Sequence, residues 1–301
     1  QVKKAKLLAS FDNPQPEPQP DPTPNSEPAT VVPTTLESHA TAAGPGISGG
    51  PVLAENPVWN GWDVLLIIGL AFATIFVAQF AILIGAHYLL YPRASMIDLA
   101  QRPILLLISQ YVIDLSVVLY LLLLIEGKYH APFGRAIRWN WPRNAWWLLL
   151  VGVVMLLVLS MVENLLPMPK DTPFEKLFER PRDAYLLAVI AVSLGPLVEE
   201  LFFRGFFYPV LARRLGIGWA IFLTALPFAL MHMPQYGWAW GALLVIFIVG
   251  VVCGAVRAVT KSVAASFLVH VGYNGSQMLI ALFATRGFTY MPKALMALLF
   301  R

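Results

Sequence analysis

The sequence predicts an all-α protein, a polytopic membrane bundle of about seven or eight transmembrane helices behind a Pro-rich N-terminal tail. Three observations lead there. The 301 residues are 58% hydrophobic and only 13% charged, with mean hydropathy +0.67, whereas soluble domains are roughly 25% charged. From Trp59 onward, apolar runs approach the roughly 20 residues that a helical span needs at about 1.5 Å each, and short polar breaks separate them. None of these runs alternates polar and apolar residues at period two, so a transmembrane β-barrel is not expected.

Residues 1–58 stand apart. "NPQPEPQPDPTPNSEP" and "GPGISGGP" are rich in Pro, Gly, Ser and Thr and poor in large apolar residues. Such a segment buries too little surface to offset its ordering entropy, so a disordered tail is expected, extended where prolines alternate. "KKAKLLASF" lacks the long apolar core of a signal peptide.

Residues 59–301 form the membrane domain. Its expected spans are Val64–Leu90, Ile104–Ile125, Ala145–Leu166, Ala184–Tyr208, Ile217–Met233, Trp238–Val259 and Ser262–Thr285, with a short apolar end at Ala294–Phe300. Trp59, Trp62, Trp146, Trp147 and Trp238 sit at span edges, where interfacial belts form. No internal repeat is evident.

The net charge of +4 lies largely in short loops, which suits membrane orientation and argues against nucleic-acid binding. Lys128, Arg135, Arg138, Arg143, Arg213, Arg214, Arg257 and Lys261 fall on one side, so the tally places the N-terminus in the cytoplasm. The single cysteine, Cys253, excludes an intramolecular disulfide framework and a Cys-rich zinc site, and reads as a packing residue.

Ionisable groups inside spans are functional candidates by default. In "PLVEELFFRGFFY", Glu200 and Arg204 are four residues apart and can pair on one helical face. Glu199 points about 100° away and has no local partner, which leaves it free for chemistry. Gly205 allows a bend or a close backbone approach. His232 closes "PFALMH" with Phe228 one turn earlier, and His270 opens "HVGYN" with Asn274 one turn later. Buried polar groups need partners, so these side chains from three separate spans are expected to converge. His39, His87 and His130 look ordinary. Asp114 and Glu163–Asn164 also fall within apolar runs and read first as helix-to-helix hydrogen bonding, with Asp114 as a partner of a histidine the sharper alternative.

"EELFFR" (Glu199–Arg204), "FALMH" (Phe228–His232) and "HVGYN" (His270–Asn274) match in order the EExxxR, FxxxH and HxxxN motifs of one family. Over roughly residues 183–285 the chain resembles the CPBP (CAAX protease and bacteriocin-processing, or Abi) intramembrane proteases. The resemblance implies an endopeptidase acting on a membrane-embedded or lipidated protein or peptide, with Glu199 as general base and His232 holding and activating the water. It also implies that His270 and Asn274 stabilise the oxyanion, that Arg204 orients Glu200, and that Phe228 belongs to the supporting set. Family members include enzymes that process prenylated C-terminal Cys-a-a-X sequences, and the short bacterial members suggest a bacterial cytoplasmic membrane, with the endoplasmic reticulum as alternative.

No cofactor is expected. Zinc is the alternative, held by Glu199, His232 and His270, although the chain has no "HExxH". The competing functions are a non-catalytic scaffold or bacteriocin-immunity-type binding protein, and a proton-coupled transporter. A further match, "GISG" (Gly46–Gly49), fits the Gly-x-Ser-Gly pattern of rhomboid serine proteases, but Ser48 lies in the tail. Counted from the basic span ends, Glu199, His232 and His270 lie at depths of roughly 21, 27 and 13 Å. A tilt, a bend near Gly205 or a break near Pro227 would have to bring them level.

Overall fold

The computed structural model describes residues 55–168, 172–178 and 180–292. Regular structure among them is helical throughout. The expected tail up to residue 54 and the apolar end Ala294–Phe300 lie outside the described residues.

Seven principal helices among the described residues build the bundle: α1 (Gly61–Leu89), α2 (Pro103–Lys128), α3 (Ala145–Glu163), α4 (Pro181–Leu215), α5 (Ile217–Leu230), α6 (Trp240–Thr260) and α7 (Val263–Ala284). All except α5 are long and apolar enough to cross a membrane. Their starts follow the chemistry of capping. Asn60 accepts from the Trp62 N–H while Asp63 accepts from the Asn60 N–H, which closes a capping box on α1. Pro103 and Pro181 open α2 and α4, where a missing N–H costs nothing. Ser262 caps α7 by accepting from the Ala265 N–H. Phe72, Phe76 and Phe80 are exposed at four-residue spacing along α1, an apolar stripe that water would penalise and lipid accepts.

The sequence expects a span over Ile217–Met233, but α5 ends at Leu230 and His232 lies in the turn beyond it. Pro227 removes one helical donor within α5, and Pro234 has no N–H with which to bond the Leu230 carbonyl and continue the helix. A short helix, Met233–Tyr236, follows.

The helix α4 is interrupted twice. It breaks at Ser193 (φ −117°, ψ −79°), next to Pro196, whose missing N–H cannot bond the Val192 carbonyl. It then widens into a π-helical stretch over Leu201–Phe207, just before Pro209, which likewise cannot donate to Gly205. Gly205 lies in that stretch, and an added Cβ would meet the Ile137 Cβ at 3.2 Å. A turn at Gly216, with φ of +82°, then reverses the chain into α5; only glycine adopts this backbone without strain.

At the end of the bundle where α1 begins, the described chain is already anchored at Glu55. Its carboxylate accepts from Arg257 on α6 (3.0 Å) and from Arg138 in the α2–α3 connection (3.2 Å). Trp59 is buried, stacks on Phe206 at 5.1 Å and donates its Nε1–H to the Phe206 carbonyl (2.9 Å). That carbonyl belongs to the π-helical stretch, where the regular i→i−4 ladder is interrupted.

The helices α3 and α7 make the closest approach. A Cβ on Gly272 would collide with the Leu149 carbonyl oxygen, and one on Gly152 with that of Val269. Gly272→Ala therefore forces the two helices apart, and His270 is two residues away on α7. Overpacking of this kind typically costs about 1–3 kcal/mol. We expect a lower thermal unfolding midpoint in detergent for Gly272→Ala and little change for Gly275→Ala, whose new methyl meets its nearest neighbour, Val192 Cγ1, at an ordinary 3.5 Å. Equal midpoints for the two variants would refute this account.

Candidate active site

A cavity of about 580 Å³ opens among all seven principal helices, with α3 reaching it at its last residue, Glu163, and Glu199, His232, His270 and Asn274 all line it. The levels that rise per residue could not reconcile are matched by the breaks just described. The π-helical stretch and the bend at Ser193 reset α4, and the early end of α5 leaves His232 in a turn.

Glu199 is partly buried and faces both imidazoles. Its Oε1 lies 3.9 Å from His232 Nε2, and its Oε2 lies 3.6 Å from His270 Nε2. Both separations exceed a direct hydrogen bond, and the three groups share the cavity wall, so a water on the cavity side, off the lines joining them, can reach all three.

The other ring nitrogens set the tautomers. His232 Nδ1 is 2.8 Å from the Phe228 carbonyl, which can only accept, so Nδ1 carries the proton. His270 Nδ1 is 3.0 Å from Glu200 Oε1, and the same logic places a proton on Nδ1. Each Nε2 therefore turns toward Glu199.

Beneath this layer lies a fully buried polar network. Glu200 Oε1 accepts from Arg204 Nη1 (2.9 Å) as well as from His270, and its Oε2 accepts from the Ser266 hydroxyl (2.6 Å), which is also 2.9 Å from the Cys253 carbonyl. Arg204 donates from Nη2 to the Gly250 carbonyl (2.7 Å) and lies 4.7 Å from the centre of the Phe228 ring. Phe228 in turn packs edge-on against His270 at 5.8 Å and lies 5.1 Å from His232. Thus the Glu200–Arg204 pair expected from spacing is present, and it carries His270 as well, which spacing alone does not indicate. Asn274 donates its Nδ2 to the Ala191 carbonyl (2.8 Å), beside the break in α4, and so ties α7 to α4.

Sequence reasoning missed Ser266 and the Gly250 carbonyl, and it placed Trp59 in an interfacial belt, whereas Trp59 is buried against Phe206. Ser266 had a signal: it lies one turn before His270, in a largely apolar run. A backbone carbonyl and a partner 147 residues away carry none. Asp114 lines the same cavity but does not pair with either histidine; Gln110 Nε2 donates to its Oδ1 (2.8 Å).

Two donor sets bear on metal. Glu200, Cys253 and His270 place ligand atoms within 4.8 Å of one another, but the Glu200 oxygens already take Arg204, His270 and Ser266, and the guanidinium opposes a second cation. Glu199 with the two Nε2 atoms fits zinc by donor chemistry. Each imidazole there bonds a carbonyl or carboxylate through its other nitrogen, as metal-bound histidines commonly do.

Residues 181–276 match the sequence model of the family described as Type II CAAX prenyl endopeptidase Rce1-like. This is the CPBP group that the three motifs resemble, and the matched segment holds every motif residue. No curated protein and no solved structure matches the chain. With six apolar helices of spanning length, the chain is an integral membrane protein.

Proposed function

We propose, from the match of residues 181–276 to the type II CAAX prenyl endopeptidases, that this protein hydrolyses a peptide bond of a membrane-associated protein or peptide inside the cavity. The observation that carries this is a single partly buried carboxylate, Glu199, facing two imidazole Nε2 atoms at 3.6 and 3.9 Å.

Water bound beside these groups gives one proton to Glu199 and is oriented by donating its other O–H to His232 Nε2, whose lone pair is exposed by the Nδ1 bond to Phe228. The water oxygen attacks the scissile carbonyl carbon, and the carbonyl oxygen becomes an oxyanion. Glu200 holds the His270 ring through Nδ1, so that its Nε2 stays beside the water, and the second N–H of Asn274 donates to that oxyanion. Collapse breaks the C–N bond, and Glu199 returns its proton to the leaving amine. The sum is peptide plus water giving a carboxylic acid and an amine.

We propose this as metal-free chemistry, because Glu199 cannot serve as a zinc ligand and as the base together and both Glu200 oxygens are engaged. Zinc held by Glu199, His232 and His270 would instead supply Lewis-acid activation of water.

The test is a panel of quenched fluorescent peptides with and without an S-prenylated cysteine, cleaved by purified protein in nanodiscs with and without a chelator. Cleavage of prenylated members that survives chelation is the expected result. Loss on chelation, restored by added zinc, would transfer the water to the metal, and no cleavage of any member by folded protein would favour a binding scaffold.

A further inference from the structure

Part of the cavity wall is built by α1 and α2, which lie outside the segment that matches the endopeptidase family. Asp114 stands in the middle of α2 on that wall and is only 5% exposed. Gln110 holds its Oδ1, while Oδ2 is buried with no hydrogen-bond partner. A buried carboxylate with one neutral donor is costly unless something else pairs with it. The charges of Asp114 and Glu199 act on each other. Among the described residues no Lys or Arg lines the cavity, although Glu163 adds a third carboxylate to its wall. Apolar walls of one sign of charge concentrate the field and draw in the opposite charge.

We infer that Asp114 is a specificity-determining residue that receives a basic side chain, lysine or arginine, of the bound peptide. The inference rests on the proposed peptidase activity. An ammonium or guanidinium seated at Asp114 supplies the missing partner for Oδ2 and separates its charge from that of Glu199. Gln110 holds Oδ1 and leaves Oδ2 without a partner, a positioning contact rather than a catalytic one.

The test uses matched apolar peptides carrying lysine, its uncharged isostere norleucine, or glutamate at each position flanking the scissile bond. Wild type and Asp114→Asn are compared by kcat/KM and, with non-cleavable reduced-amide versions, by Kd. We expect lysine to exceed norleucine at one position by about tenfold in wild type, in both readouts. In Asp114→Asn that ratio should fall to within about twofold, with glutamate no longer disfavoured. A wild-type ratio near one, as a neutral Asp114 would give, overturns the inference. So does a lysine preference that persists in Asp114→Asn, or an equal loss for all three peptides. If wild type cleaves nothing yet the Kd ratio shows the same dependence on Asp114, the peptidase reading fails and the cation site stands. If cleavage occurs without charge preference, the reverse holds.

Discussion

Glu199→Gln is expected to lower kcat/KM for peptide cleavage by about 10²–10⁴-fold, the usual contribution of a positioned general base. The carboxamide keeps the shape of the side chain but cannot take a proton from water. Little stability should be lost, because Glu199 makes no hydrogen bond to either histidine at 3.6 and 3.9 Å and is not fully buried. Kinetics and thermal unfolding of the same preparation check both halves. A variant that retains more than about a tenth of the wild-type rate would remove Glu199 from the base role.

Arg204→Met is expected to act in the opposite way, through the fold. Arg204 and Glu200 are both fully buried, and removing the guanidinium leaves Glu200 as a charge in a low-dielectric interior. Loss of one member of such a pair typically costs about 3–5 kcal/mol, a large share of the roughly 5–15 kcal/mol that holds a protein folded. The Gly250 carbonyl loses its guanidinium donor as well. The double variant Glu200→Leu/Arg204→Met should recover much of the lost stability, since an apolar replacement of a whole buried pair is often near neutral. Activity should not return with it, because His270 Nδ1 has then lost the carboxylate that orients it. A double variant as unstable as Arg204→Met, or one with restored cleavage, would contradict this division between fold and chemistry.

The distinction between the two adjacent glutamates was legible in sequence because it is local. On a helix, Glu200 shares a face with Arg204 and Glu199 does not, and only short-range geometry is needed to say so. The long apolar helices were legible for a similar reason: the bilayer imposes a length and a composition that leave a direct mark. His232, His270 and Asn274 could be named as candidates because polar side chains in apolar runs must find one another.

The short α5 was not legible as such. Ile217–Met233 has the composition of a span, and whether Pro227 bends a helix or Pro234 helps end it depends on what the freed backbone groups meet. Glu55 lies in a stretch whose composition reads as tail, yet its partner Arg257 is 202 residues away, so no local pattern announces the pair.

By itself, then, the sequence determined the all-α membrane class, the order of the helices and the identity of the polar side chains that the cavity gathers, since hydrophobicity, length and helical periodicity are properties of the chain itself. Tertiary structure alone decided their depth and their partners. The π-helical stretch and the break in α4, the turn that carries His232, and the buried bond from Glu200 to His270 depend on contacts between residues far apart in sequence. Only the packed helices bring those residues within reach.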